Sequence, residues 1–321
     1  MKAIIQTQYG SPDVLQLQDV TKPEPAANEV RVKIHTASVT PSDSAFRKGD
    51  PFLVRLMYGL SKPRQAIGGV EFSGVIDAIG AEVTNFKVGD AIFGMSPDKF
   101  GAYAEYICLP ADKPLALKSP QMTFEESTAI LDGAATAQTF LRHVANVQPG
   151  QKVLINGASG AVGAYAVQIA KHLGAEVTGV CSSRNVDMVR SLGADHVIDY
   201  TTDDFARNSN AYDVIFDAVG KRSFGECKNA LTKNGIYMTT VPSLSLIAGL
   251  ISSLFGSKKA KFTTAGLKQN RTTLESLTQL YEAGAVKAII DRCYALEDVP
   301  EAHRYVDTER KRGNVVVQIA S

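Results

Sequence analysis

The sequence predicts an α/β protein of two domains: a β-rich, barrel-like domain and a doubly wound parallel sheet. Three observations carry that expectation. Short β-rich runs, separated by Gly, Pro, Asn and Asp, fill residues 1–121. Near Met122 the period becomes helical, and from Gln151 strands and helices alternate, as they do around a parallel sheet. The first strand–helix junction of that second region, "KVLINGASGAVGAYAVQIAKHLG", carries three closely spaced glycines. The length of 321 residues agrees, because it exceeds what one ordinary core organises.

Each element has its own signal. "KAIIQT", "EVRVKIHTASV", "GGVEFSGVIDAIG", "VGDAIFGM" and "AYAEYICLP" read as strands, interrupted at residues 51–67 by a loop or short helix. "TFEESTAILDGAATAQTFLRHVANV" has helical spacing and Ala-rich faces, and Thr123 followed by Glu126 fits a capping box. "KVLIN" is then a strand, "AVGAYAVQIAKHLG" a helix, "EVTGVC" a strand and "NVDMVRSLG" a helix. Strands "HVIDY" and "DVIFDAVG" follow, then a helix near Ser223–Leu231 and the strand "GIYMTTV". Beyond the helix "RTTLESLTQLYEAG", the tail from "IIDRCYAL" to "NVVVQIA" returns to strand, helix, strand.

Composition excludes several classes. Apolar residues make up 45% and charged residues 21%, values of a soluble globular chain. With 34 basic and 33 acidic residues, no field of one sign exists to draw in nucleic acid. Cys108, Cys181, Cys227 and Cys293 lie far apart, as free thiols of a reducing compartment do. The start, "MKAIIQTQYG", is a strand and turn rather than a signal peptide, which points to the cytoplasm. The longest apolar stretch, Leu244–Phe255, is too short to cross a bilayer.

Gly157, Gly160 and Gly163 form G-x-x-G-x-x-G between a strand and an amphipathic helix. Small residues let backbone approach a pyrophosphate, and the helix N-terminus offers free N–H groups and partial positive charge. In NAD-binding units a carboxylate ending the second strand takes the ribose 2′-hydroxyl. Here that strand ends "GVCSSRN", with no acid from Val177 to Val186. Ser182, Ser183 and Arg184 suit a 2′-phosphate instead, so the expected cofactor is NADPH. Tyr200, ending the third strand, is expected to close over the phosphate or the adenine. Val219, in the loop "DAVG", ends the fourth strand where nucleotides bind.

With these features the chain resembles the medium-chain dehydrogenase/reductase superfamily over nearly its whole length. "GVEFSGVIDAIGAEVTNFKVGDAIFG" is similar to its G-x-E-x-x-G-x-V and V-G-D-x-V stretches. "VQPGQKVLINGASGAVGAYAVQIAKHLGAEVTG" is similar to the cofactor motif of its quinone reductase branch. The resemblance implies a GroES-like β-barrel catalytic domain over 1–122 and 268–321 and a Rossmann NADPH-binding domain over 123–267. Zinc members carry Cys in C-x-[ST]-D and His in G-H-E; here "VTPSD" and "GVEFSG" place Thr40 and Val70 there. Neither side chain replaces thiolate or imidazole on zinc. The resemblance is therefore to the zinc-free, ζ-crystallin-like quinone oxidoreductases and to enone or alkenal reductases.

It implies roles for particular residues. Thr136 matches the threonine beside the nicotinamide, and Asn314 a position that reaches the cofactor. Val241 and Pro242 are expected to pass near the nicotinamide, with the backbone of Ser159, Gly160, Ala161 and Val162 around the pyrophosphate. Thr40 is the candidate polar group at the hydride, standing where quinone reductases often carry Asn. The tyrosine some of them place five residues on falls on Ala45. Tyr58 is a candidate proton donor or pocket wall. The implied activity is zinc-independent, NADPH-dependent hydride transfer to quinones or related activated carbonyl acceptors, by a homodimer. Alternatives are reduction of enone or alkenal C=C bonds, and a non-catalytic NADPH-binding sensor or structural protein. "SLSLIAGLISSLFGSKKAKF" reads as a pocket lid or dimer helix, or as a peripheral membrane element with Lys258, Lys259 and Lys261 on anionic headgroups.

Overall fold

The computed structural model describes residues 1–264 and 269–319. The expected boundary at 267/268 lies outside the described residues, as do residues 320–321. The chain divides into two compact units. One comprises Met1–Leu131, Gln269–Glu282 and Ala288–Ser321; the other comprises Asp132–Lys268 and Ala283–Lys287.

The first unit opens with an antiparallel pair, β1 (Lys2–Gln6) and β2 (Leu15–Asp19). Strand β3 (Glu29–Val39) is followed by helices α1 (Pro41–Lys48) and α2 (Phe52–Tyr58). Strands β4 (Glu71–Ile79), β5 (Ala91–Met95), β6 (Tyr106–Pro110) and β7 (Leu115–Leu117) and helix α3 (Phe124–Ala129) complete this segment. β3 organises the unit. Its alternation sends Val30, Val32 and Ile34 into the core and leaves Arg31 and Lys33 part-exposed. Two register shifts bend it, so it pairs with β4 along its length and with β6 over Glu29–Lys33. The 51–67 interruption contains the short helix α2, and the Thr123–Glu126 capping box starts α3.

The second unit holds the parallel sheet. Helix α4 (Leu131–Gln138) runs into a π-helical segment, Thr139–Val144. Then come β8 (Lys152–Asn156), α5 (Ala161–His172), β9 (Glu176–Cys181), α6 (Val186–Ser191), β10 (His196–Asp199) and β11 (Tyr212–Asp217). α7 (Phe224–Cys227), β12 (Leu231–Thr239), α8 (Leu244–Ser253) and β13 (Lys259–Lys261) follow. The strand order is β10-β9-β8-β11-β12-β13, all parallel. Central β8 is covered on both faces, which is why Val153, Leu154 and Ile155 form an unbroken apolar run, fully buried. The order reverses between β8 and β11, so the crevice for a ligand opens at the carboxyl ends of these two strands.

Three details differ from the sequence expectation. The first unit runs to Leu131 rather than 122, so α3 belongs to it. The helix near Ser223–Leu231 is only the short α7, and β12 begins at Leu231. A register shift at Tyr212/Val214 takes "TKNG" into β12. β13, unforeseen in "KKAKF", is a three-residue edge strand flanked by lysines, which blunt an open edge.

The chain then returns to the first unit with α9 (Arg271–Glu282), β14 (Ile290–Ala295), α10 (Val299–Asp307) and β15 (Asn314–Gln318). β15 pairs antiparallel with the Thr36–Val39 end of β3, closing the order β14-β15-β3-β4-β5-β7, with β6 also on β3. Among the described residues no helix is long and apolar enough to cross a membrane.

Candidate functional site

The glycine turn of the second unit combines two kinds of glycine. Gly157 leaves β8 with φ +79°, and a Cβ there would come within 2.4 Å of Val219 Cγ1. A Cβ on Gly163 would sit 2.1 Å from the Gly157 carbonyl oxygen. The protein's own packing therefore requires glycine at both positions. Gly160, the N-cap of α5, has an ordinary φ of −79°. A Cβ there would meet only the Gly157 oxygen, at 3.4 Å. No side chain caps α5, so its first N–H groups and partial positive charge face this open space. These residues fit a pyrophosphate.

The loops at the other strand ends lie alongside. A Cβ on Gly220 would stand 2.5 Å from Val241 Cβ, so the loops after β11 and β12 are in contact, as those after β8 and β11 are through Gly157 and Val219. Asp217, fully buried, fixes this arrangement and was not singled out in the sequence. Its Oδ1 accepts from Asn156 Nδ2 at 2.9 Å and from the Gly220 N–H at 3.0 Å; its Oδ2 accepts from the Arg222 N–H at 2.8 Å. Burial pushes its carboxyl upward against the pull of these donors. Val219, Val241 and Pro242 remain exposed beside it. Thr136, nearly buried on α4, directs its hydroxyl toward Asp132 Oδ1 at 3.5 Å. One turn earlier, Gly133 lets α4 approach α5: a Cβ there would lie 2.7 Å from the Ala161 carbonyl oxygen.

After β9, Ser182 is half-buried and Ser183 and Arg184 are exposed. The buried Asn185, also missed, ties this loop to the glycine turn, donating to Ser159 Oγ at 2.8 Å and to Ser182 Oγ at 3.5 Å. Tyr200 is 61% exposed, and its N–H donates to the Cys181 carbonyl. A further carboxylate stands here. Asp199, at the end of β10 and in register with Cys181, accepts from the Thr201 N–H and hydroxyl, and the Ser183 hydroxyl lies 3.2 Å from that of Thr201.

Thr40, Tyr58 and Asn314 belong to the first unit. Thr40 caps α1: its hydroxyl donates to Asp43 Oδ2 at 2.6 Å and accepts from the Asp43 N–H at 3.2 Å. The hydroxyl proton is thus engaged within the cap. Tyr58 ends α2 and meets Phe46 and Phe100 edge-on, with centroids 4.8 and 5.2 Å away. Burial raises its phenol, keeping it protonated near neutrality. Asn314 donates through Nδ2 to the Ile289 carbonyl at 3.1 Å. Val70 is half-buried, and the neighbouring Glu71 is buried and accepts from the Ser38 hydroxyl. The buried Tyr103 hydroxyl donates to the Ser38 carbonyl at 3.2 Å. Arg47, 1% exposed, donates to Asp307 at 2.6 Å and to His303 Nδ1 at 3.3 Å. Burial and Arg47 push His303 down to about 3.

A GroES-like β unit joined to a dinucleotide-type parallel sheet is the plan of the medium-chain dehydrogenases/reductases. Residues 26–121 match the alcohol dehydrogenase GroES-like domain and residues 192–317 the zinc-binding dehydrogenase family. A 2-methylene-furan-3-one reductase from Solanum lycopersicum is 30% identical, covering 99% of this chain and 79% of its own. An NADPH-dependent alkenal/one oxidoreductase, chloroplastic, from Arabidopsis thaliana is 28% identical with the same coverage. The quinone oxidoreductase structure from Coxiella burnetii superposes with a TM-score of 0.90 at 29% identity, covering 100% of this chain and 99% of its own. The chain belongs to the medium-chain dehydrogenase/reductase superfamily, in its zinc-free quinone oxidoreductase branch. One matched family is named for zinc, but the residues here do not fit that metal. Thr40 and Val70 offer no thiolate or imidazole, and no group of three or more His, Cys, Asp or Glu among the described residues is placed to hold an ion.

Proposed function

We propose that the protein is an NADPH-dependent, zinc-independent oxidoreductase that transfers hydride to quinones or related activated carbonyl acceptors. The observation that carries this reading is a phosphate cradle left open at Gly160 in a chain with Thr40 and Val70 at the metal positions. A second reading, reduction of the C=C bond of enones or alkenals, is favoured by the names of the tomato and Arabidopsis relatives.

Bound NADPH would supply the hydride from its nicotinamide. The α5 N-terminus, with the backbone of Ser159, Gly160, Ala161 and Val162, would hold the pyrophosphate. Ser182, Ser183, Arg184 and Tyr200 would receive the 2′-phosphate and adenosine. Asp217 would keep Val219, Val241 and Pro242 in place along the cofactor, with Thr136 and Asn314 as further contacts. A quinone or conjugated C=C spreads the developing charge, so alignment and one hydrogen bond can replace a Lewis acid. Tyr58, a protonated phenol in an apolar setting, would donate the proton. Thr40 would help by exchanging its bond to Asp43 for one to the acceptor oxygen.

Steady-state NADPH oxidation against panels of quinones and enones tests the reading. Turnover of quinones in preference to enones supports the first form, the reverse supports the second, and no turnover of either rejects both. The same reading places the protein in the cytoplasm as a homodimer; cell fractionation and analytical ultracentrifugation test these two points.

A further inference from the structure

Resting on that cofactor reading, we propose that Asp199 is a specificity determinant that opposes Arg184, moderating the preference for NADPH and giving NADH a foothold. A dinucleotide-binding sheet ordinarily places its 2′-hydroxyl-binding acid at the end of the second strand. The end of β9 has none, but β10 supplies one from the side. Asp199 pairs in register with Cys181, the last residue of β9, which brings it beside the loop that follows. Ser183, whose hydroxyl is a donor a 2′-phosphate would need, is joined to the Asp199 carboxylate through Thr201. Thr201 secures the same carboxylate through its N–H at 2.9 Å and its hydroxyl at 2.7 Å, and the Ser183 and Thr201 hydroxyls lie 3.2 Å apart. These donors, Ser183 first, hold the Asp199 carboxyl below its ordinary range, so it is anionic at neutral pH.

Two consequences follow for a phosphate arriving at Ser182–Arg184. It must draw the Ser183 hydroxyl out of the network that holds a competing anion, and it must settle beside that anion's charge. A ribose 2′-hydroxyl faces neither cost, and can itself donate to the carboxylate.

Dissociation constants for NADPH and NADH, measured by fluorescence titration on wild type and Asp199→Asn, test the proposal. Asn keeps the shape and an acceptor but removes the charge. NADPH is expected to bind roughly three- to tenfold more tightly to Asp199→Asn, with NADH unchanged or weaker; the NADPH gain should shrink as salt rises, since this is interaction of exposed charges. Asp199→Ser should give the same direction. If NADPH binding is unchanged or weakened in both variants, or if both cofactors gain equally, the proposal is overturned. If wild type binds neither dinucleotide, the cofactor reading itself fails, a result distinct from a failure confined to the variants.

Discussion

Gly160 and Gly163 stand one turn apart yet answer to different demands. Gly163→Ala would drive a methyl into the Gly157 carbonyl, so it should cost on the order of 2 kcal/mol or more in thermal or denaturant unfolding. Gly160→Val should cost only about 1 kcal/mol, the difference between a good and a poor N-cap, because its surroundings are otherwise open. It should nonetheless abolish measurable dinucleotide binding, by filling the space before α5. A Gly160→Val protein that binds normally would remove the cradle from the site. Arg184→Ala should weaken NADPH by about 1.5–3 kcal/mol, the range of a charged hydrogen bond, and NADH much less. Thr40→Ala loses a helix cap worth about 1 kcal/mol, and Thr40→Ser restores it. If Thr40 acts only as a cap, kcat follows folded fraction in both variants. A fall in kcat for Thr40→Ala at full folding, reversed by Ser, marks a role at the acceptor.

Helix α8 presents Leu244, Ile247, Ile251 and Leu254 as one exposed stripe, with Phe255 beside it, while Leu246 and Gly249 pack inward. The lysines expected on anionic headgroups have internal partners. Lys258 donates to the Lys228 carbonyl, Lys259 to that of Ser253 and Lys261 to that of Val144. Co-sedimentation with anionic vesicles tests the membrane element: a peripheral contact predicts binding that Ile251→Asp abolishes, and its absence ends the idea. The repeating elements were legible because their cues are local. Alternation marked β3, a capping box marked α3, and glycines marked the entry to α5. β7 and β13 were not legible, since three residues carry no period and their extension comes from the neighbouring strand. Asp199 and Asn185 escaped for a related reason. Asn185 bonds to Ser159, and Asp199 stands in register with Cys181; both pairs are distant in sequence and meet only when parallel strands align.

At the scale of the whole molecule, the buried cluster around His303 sets an acid limit. The unfolded imidazole takes a proton below about 6.5, whereas the folded one stays neutral down to about 3. Between those values the unfolded chain binds more protons, so stability is complete above 6.5 and falls as pH drops. The loss should reach the order of a few kcal/mol by pH 4. His303→Gln should melt lower at pH 7, having lost the ring against Tyr103, yet show a shallower decline from pH 7 to 4.5. Parallel melting curves for the two proteins across that range would assign the acid limit elsewhere. The second unit has a different kind of coupling. Gly157 lies under Val219, and Gly220 lies under Val241, so three loops far apart in sequence are stacked like tiles. None can shift without lifting its neighbour. Amide exchange should therefore slow together at 157–163, 218–222 and 240–243 when a dinucleotide binds, including at residues it never touches.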